Sequence, residues 1–278
     1  MTTPTTGVAM TALGVAVIRA RENEQPDALY KDPYAQLFVD AAHQQVSGTD
    51  EGRGWWDRLQ QAADMFYPDR TLGVRVGDDR MLRGVESGLR QIVLLGAGLD
   101  TRAYRMPLPT DTRFFEVDLP ELFAFKEPVL EGIEPVCFRR PVITDLREDW
   151  SAELQHQGFD PAQPTLWCEE GALPYLPSED AWRVVERLTE LSAPGSRYGI
   201  SRFPIDPTAP RYRALAQLTH GTDTPATGFK GLGDDAEERL NQLGWTTEFE
   251  PWTGLLADIG RPNPDVDAGW GFVRAIRS

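Results

Sequence analysis

The pattern of apolar positions changes between residues 90 and 91. Before that point apolar residues recur three and four positions apart, which is typical of amphipathic helices. The predicted helices span residues 8–23, 32–42, 55–66 and 71–87. After it, short apolar runs alternate with helical segments, which indicates strands joined by helices in a parallel, doubly wound sheet. The predicted strands span residues 91–95, 113–117, 136–143, 165–169 and 196–202, and the clearest helix spans residues 178–192.

The C-terminal part follows a different pattern. Helical spacing returns at 208–220 and 234–243, and the residues between these stretches are rich in turn formers. The chain closes with two apolar runs, at 246–252 and 269–277, whose connection is too short for a long crossover helix and so predicts an antiparallel pair. The predicted fold is therefore α/β: a Rossmann-like, doubly wound, mostly parallel seven-stranded sheet with a reversed terminal strand, plus N-terminal helical and lid elements.

We expect residues 1–278 to form a single domain with four parts. These are an N-terminal helical cap (1–90), a ligand-binding core (91–202), a lid and substrate region (203–245) and a terminal strand pair (246–278).

Composition narrows the class of partner. A net charge of −15 argues against nucleic acid, because proteins that bind phosphate backbones carry clustered Lys and Arg. The two cysteines cannot form a disulfide framework, and no CxxC motif or His cluster suggests a metal site. The apolar stretch near the N-terminus lacks a basic leading region and is too short to span a bilayer. We expect a cytoplasmic protein with a small-molecule partner, no membrane and no metal, while the oligomeric state is left open.

The stretch IVLLGAGLDTRAYRM, residues 92–106, places two glycines directly after an apolar strand. Ligands of open α/β sheets bind beyond the carboxyl ends of the strands, where Gly96 and Gly98 would let a ligand rest on the main chain. Asp118 ends the second strand twenty residues after Gly98, and an acid there can accept hydrogen bonds from ribose hydroxyls. These residues alone fit a dinucleotide as well as a nucleoside.

Further polar residues distinguish the two ligands. The dinucleotide fingerprint requires a third glycine where this chain has Thr101, and Asp100 at the start of the next helix would repel a pyrophosphate. Asp145, Glu169 and Glu170 follow later strands. Asp145 could instead cap a helix, and only one of the two adjacent glutamates can face a ligand. The pattern favours S-adenosylmethionine, which combines ribose, adenine and a sulfonium without phosphate.

Four ordered motifs carry a resemblance to a known family: GLRQIVLLGAGLDTRAYRM, FFEVDLPELFAFK, DLREDW and EEGALPYLP. Together with the entry segment they resemble class I methyltransferases of the leucine carboxyl methyltransferase type, in a bacterial O-methyltransferase branch. The chain departs from the family at Glu169, where a small residue is common, and at Gly77, where the branch often carries an aromatic residue.

The resemblance implies a role for each matched residue in binding S-adenosylmethionine. The implied contacts are Gly96, Ala97 and Gly98 in the first loop, Asp118 and Leu119 at the ribose, Asp145 and Leu146 beside the adenine, Glu170 (with Glu169 as the alternative) near the amino-acid part, and Arg75 on its carboxylate.

The sequence says less about the methyl acceptor, the molecule that receives the methyl group. A carboxylate is already ionised and needs no general base, whereas a hydroxyl usually does. Of the three histidines none lies in a matched motif, and His220 beside the expected lid is the one candidate base. We therefore expect no dedicated catalytic residue and O-methylation of a carboxylate, with a hydroxyl second, on a small molecule or peptide in secondary metabolism. Candidates for the substrate side are Tyr104, Tyr175 and Arg202, each with core packing or surface placement as the alternative.

Two other functions are open at this point. An NAD-linked oxidoreductase would need the third glycine and a Tyr-x-x-x-Lys motif, neither of which is present. A catalytically silent methyltransferase fold that only binds ligand is the second alternative.

Overall fold

A computed structural model describes residues 3–4, 9–202, 206, 208–220, 231–257, 259 and 269–278. Three helices precede the sheet: α1 (Ala9–Glu24), α2 (Ala35–Val46) and α3 (Asp50–Glu86). The two helices predicted at 55–66 and 71–87 are in fact one, with Pro68 inside it. Proline removes a backbone hydrogen bond and usually ends a helix. Here buried residues on both sides of Pro68 pack into the core and carry the helix through, so the predicted break is wrong.

The seven strands form one sheet in the order β3-β2-β1-β4-β5-β7-β6. Strands β1 to β5 pair in parallel, whereas β7 is antiparallel to both of its neighbours, β5 and β6. The α/β fold with a reversed terminal strand is thereby confirmed. The strands are β1 (Gln91–Leu95), β2 (Arg113–Asp118), β3 (Phe138–Ile143), β4 (Thr165–Glu169), β5 (Arg197–Arg202), β6 (Trp245–Pro251) and β7 (Gly271–Arg277).

Helices cover both faces of the central strands. Ile92 and Leu94 of β1 pack into a cluster with α1, α2 and α3, while Val93 and Leu95 pack into a second cluster on the opposite face. Successive strand residues point to opposite faces, so burial on both sides explains why β1 is an unbroken apolar run. The remaining helices are α4 (Arg102–Arg105), α5 (Pro120–Val129), α6 (Trp150–His156), α7 (Ser178–Glu190), α8 (Pro210–His220), α9 (Ala236–Gln242) and α10 (Trp252–Ala257).

Strand register brings the ligand-binding motifs to one edge of the sheet. Leu95, the last residue of β1, pairs with Val117 of β2 and with Glu169 of β4. The residues that follow these strands therefore lie side by side at the carboxyl edge.

Part of the expected lid touches the expected cap. Arg211 of α8 forms an ion pair with Asp69 of α3 at 2.5 Å, and the rings of Tyr212 and Phe66 lie 5.6 Å apart. The division of the chain into cap, core, lid and strand pair stays a prediction. Within the described ranges, the helices are all too short or too polar to cross a membrane.

Candidate cofactor site

A cavity of about 290 Å³ opens at the carboxyl edge of β1, β2 and β4, and α1 forms its opposite wall. Its size is near the lower end of the range for small-molecule sites, about 300–1,000 Å³. The structure brings most of the sequence-predicted cofactor residues together in its lining. Those residues are Gly96, Ala97, Gly98, Asp118, Leu119, Asp145, Leu146 and Glu170.

The glycine loop after β1 requires glycine at two positions. Gly96 has φ +68° and Gly98 has φ +50°, in the left-handed region that other residues rarely adopt. A Cβ atom on Gly96 would lie 2.4 Å from the Cβ of Ala172, and one on Gly98 would lie 3.1 Å from the Cβ of Ala12 in α1. The loop backbone is therefore packed closely between α1 and the segment after β4, with no room for a side chain at either glycine position.

Asp118 connects the end of β2 to the glycine loop. The backbone N–H of Gly98 donates to its Oδ2 at 2.5 Å, and the N–H of Leu119 donates to its Oδ1 at 2.7 Å. Burial raises the pKa of Asp118, and these two N–H donors partly oppose the rise. Each carboxylate oxygen keeps acceptor capacity, so this side chain can also accept hydrogen bonds from a ligand's hydroxyl groups.

The two adjacent glutamates have separate places. Glu169 is buried, and its Oε1 accepts hydrogen bonds from the N–H groups of Gly171, Ala172 and Leu173, at the start of a 3₁₀ turn (Leu173–Tyr175). Burial raises the pKa of Glu169, although these donors oppose it. Glu170 lines the cavity instead. The sequence predicts that only one of the two faces a ligand, and of the two only Glu170 lines the cavity.

A buried ion network behind the cavity was missed by the sequence reasoning. Arg102 of α4 contacts Asp78 at 2.7 Å, Asp100 at 3.0 Å and Glu170 at 2.8 Å. Burial alone would raise the pKa of Asp78 and Asp100, but the guanidinium of Arg102 holds both below their usual value. The motif DTRAYR contains Asp100 and Arg102, yet nothing in it shows which distant acids they meet.

Arg75 does not reach the cavity. Its Nε donates to both carboxylate oxygens of Asp79 at 2.9 Å, and its Nη1 donates to the carbonyl of Leu29 at 2.8 Å. Arg70 lines the cavity, and its Nη2 donates to the backbone carbonyl of Glu170 at 2.7 Å. Five residues along a helix turn a side chain by about 140°, so only one of these arginines can face the site.

Arg70 differs from the other arginines in the cavity wall. Arg19, Arg102 and Arg147 each have a carboxylate partner. Among the described residues Arg70 has none, and its buried Nε has no hydrogen-bond partner there. The geometry therefore offers Arg70 as an anion-binding group in the place expected for Arg75.

Of the substrate-side candidates with a described side chain, only Tyr175 lines the cavity. It forms a hydrogen bond with Thr11 of α1, and burial raises its pKa. Tyr104 is buried away from this cavity, with its ring 6.0 Å from that of Tyr34, so it packs in the core. Arg202 is exposed and pairs with Glu237 at 2.8 Å, which places it outside the cavity as well.

The side chain of His220 lies outside the part of the chain that the structure describes. Within that part, His, Cys, Asp and Glu side chains form no group able to hold a metal ion.

Comparison with known proteins identifies the family. A family model described as leucine carboxyl methyltransferase matches residues 12–189. A relative from Parafrankia sp. is 39% identical over 98% of this chain and 88% of its own length. Another, from Mycobacteroides abscessus, is 43% identical over 93% of this chain and 86% of its own length. Both carry the name "Putative S-adenosyl-L-methionine-dependent methyltransferase".

Two solved structures share the fold at low sequence identity. A DUF574 family protein from Streptomyces avermitilis has a TM-score of 0.61 and 17% identity, with 99% of both chains covered. A structure described as a "putative methyltransferase" from Thermobifida fusca has a TM-score of 0.55 and 21% identity, covering 98% of this chain and 95% of its own. The family model and the relatives extend this likeness to the sequence itself: the chain belongs to the leucine carboxyl methyltransferase family and is a class I S-adenosylmethionine-dependent methyltransferase of that type.

Proposed function

We propose that the cavity at the carboxyl edge binds S-adenosylmethionine and that the protein methylates a carboxylate oxygen of a small molecule or peptide. The observation that carries the proposal is the set of groups on the cavity wall. It combines the glycine loop, the ribose-type acceptor Asp118, the acid Glu170 and the cation Arg70, which has no carboxylate partner among the described residues. A zwitterionic nucleoside without phosphate is the ligand that this set complements.

Each part of S-adenosylmethionine has a complementary group in the cavity wall. Asp118 would accept hydrogen bonds from the ribose hydroxyls, and Leu119 and Leu146 would contact the adenine, with Asp145 beside them. Glu170 would attract the amino group, and Arg70 would bind the carboxylate as a guanidinium fork. Gly96 also fits this binding mode. A side chain at this position would collide with Ala172, whereas glycine leaves the loop backbone open to the ligand.

Positioning is the main contribution of these residues to the reaction. Bound S-adenosylmethionine supplies a methyl group on a sulfonium, a good leaving group. The wall side chains would hold the donor in one orientation, and α1 would keep water away through its contact at Ala12 with the loop. Glu170, Asp100 and Asp118 are each already bonded to a cation or to backbone N–H groups, which suits binding rather than proton transfer.

Two observations favour a carboxylate acceptor over a hydroxyl. The family to which the chain belongs is named for carboxyl methylation. Tyr175, the candidate lining residue on the substrate side, has its pKa raised by burial and therefore stays a neutral hydrogen-bond donor instead of a base. A carboxylate acceptor needs no base because it is ionised at neutral pH. Action in secondary metabolism and in the cytoplasm stays a prediction from the sequence.

The product's chemistry tests the proposal. The protein is incubated with S-adenosylmethionine labelled at the methyl group and a metabolite extract, and the products are then treated with mild base. Methyl esters release labelled methanol under these conditions, whereas methyl ethers of hydroxyl acceptors do not. Release of labelled methanol supports carboxyl methylation, and base-stable products would assign a hydroxyl acceptor. Binding of the donor with no labelled product would favour the silent binding protein, and binding of NADH alone would favour an oxidoreductase.

A further inference from the structure

Arg102 joins two wall carboxylates to a third acid that lies behind them. Its side chain is 1% exposed, and its guanidinium contacts Asp78 of α3, Asp100 after the glycine loop and Glu170 after β4. Asp100 and Glu170 line the cavity. The backbone N–H of Arg102 also donates to Asp100 Oδ1 at 2.7 Å, so both oxygens of that carboxylate are held. One buried fork thereby fixes the direction of two acids in the wall.

Helix α3 leaves room for this arrangement at one position. A Cβ atom on Gly77 would lie 2.4 Å from Glu170 Oε1 and 2.6 Å from Arg102 Nη2. Gly73, one turn earlier in the same helix, has nothing within 4 Å of the equivalent point. Gly77 is therefore needed where the Arg102–Glu170 pair meets the helix, which explains why this chain lacks an aromatic residue there.

We infer that Arg102 is a positioning residue that holds Asp100 and Glu170 in the direction needed to bind the cationic amino-acid end of the methyl donor. The inference rests on the proposed function of the cavity. Arg102 would act through the two carboxylates, while Asp78 anchors it from behind and Gly77 provides the space. Other charged or titratable groups also lie near the two carboxylates. Arg19, Arg105 and Lys126 are near Asp100, and Arg80 and Cys168 are near Glu170.

Arg105 provides a matched control on the same helix. Its side chain is 5% exposed and contacts the same Asp78, at 2.7 Å, but its other ion pair among the described residues is with Asp32. Arg105→Gln therefore removes a buried cation and a bond to Asp78 while leaving the contacts from Arg102 to Asp100 and Glu170 in place.

The test compares two ligands that differ in the amino-acid part. S-adenosylhomocysteine carries it, and 5′-methylthioadenosine does not. Calorimetric titrations of both ligands are made with the wild type, Arg102→Gln, Arg102→Lys and Arg105→Gln. We expect Arg102→Gln to weaken S-adenosylhomocysteine binding about tenfold, the effect of one charge-assisted contact, and to leave methylthioadenosine binding nearly unchanged. Arg102→Lys should keep part of the affinity, because lysine retains the positive charge but lacks the forked guanidinium.

A second readout is the pH dependence of binding. Without the guanidinium of Arg102, the pKa of Asp100 should rise because burial then acts with less opposition. As the pH is lowered, binding of S-adenosylhomocysteine to Arg102→Gln should therefore begin to weaken at a higher pH than binding to the wild type. A purely structural arginine would not produce this dependence.

Several results would overturn the inference. An equal loss for both ligands, no loss, or the same selective loss in Arg105→Gln would each contradict it. A wild type that binds neither ligand would instead overturn the proposed function itself. If Arg102→Gln does not fold, Gly77→Ala and Gly73→Ala replace it. Only Gly77→Ala should then lose S-adenosylhomocysteine selectively, and equal behaviour of the two alanine variants would refute the inference.

Discussion

Replacing Gly96 by alanine tests whether the glycine loop is built as described. The residue has φ +68°, and an added Cβ would lie 2.4 Å from the Cβ of Ala172. Placing alanine in the left-handed region costs about 1–2 kcal/mol. Overpacking a close contact adds about 1–3 kcal/mol. The free energy of unfolding should therefore fall by about 2–5 kcal/mol if both costs apply in full.

A variant at Gly132 separates the cost of the backbone conformation from the cost of the close contact. Gly132 has φ +82°, but nothing lies within 4 Å of the point where its Cβ would be. Gly132→Ala should show the conformational cost alone, about 1–2 kcal/mol. Urea unfolding of both variants measures the difference, and calorimetry with S-adenosylhomocysteine measures ligand binding. Equal destabilisation of the two variants, together with wild-type affinity in Gly96→Ala, would refute the close packing of the loop.

Three further predictions concern the charged groups. Arg70→Gln should weaken S-adenosylhomocysteine binding about tenfold in calorimetry but leave 5′-methylthioadenosine unaffected, whereas Arg75→Gln should change neither; the opposite pattern would restore Arg75 to the site. Asp118→Ala should weaken both ligands alike, because both carry the ribose, and unchanged affinity would remove Asp118 from the site. Asp78 and Asp100 have pKa values below those of the unfolded chain, so their stabilising contribution is present above about pH 4 and is lost as the pH falls further. Urea unfolding at several pH values should show a smaller acid-induced loss in Asp78→Asn than in the wild type, and an identical loss would contradict the assignment.

The sheet and its carboxyl edge could be predicted from the sequence because their cause is local. The run QIVLL is apolar at nearly every position because β1 is buried on both faces. The strands end where glycine or acid follows, so Gly96, Asp118 and Glu170 are placed at one edge by the parallel arrangement alone. The break predicted near Pro68 is wrong because contacts from distant residues outweigh the local preference of proline.

The charges of the site could not be predicted in the same way. From the sequence, Asp100 is an uncompensated acid that would repel a pyrophosphate. In the structure its charge is matched by Arg102, so repulsion at Asp100 is weaker evidence against a dinucleotide than the sequence suggests. The choice between Arg70 and Arg75 likewise depends on the rotation of α3 and on Asp79, which no local pattern reveals. The family match supports the methyl donor independently of both points.

Which of the adjacent glutamates faces the cavity depends on the backbone after β4. Strand alternation predicts that only one of them does. The turn at Gly171 directs three backbone N–H groups onto Glu169, and this leaves Glu170 for the cavity. A turn of this kind is set by several residues together and is not visible in the pair itself.

A crystal structure of the protein with S-adenosylhomocysteine would show directly whether the cavity is the cofactor site. We expect ligand density in the cavity at the carboxyl edge, with the ribose on Asp118, the amino group on Glu170 and the carboxylate on Arg70. Density elsewhere, or a ligand carboxylate held by Arg75 while Arg70 stays empty, would contradict this expectation.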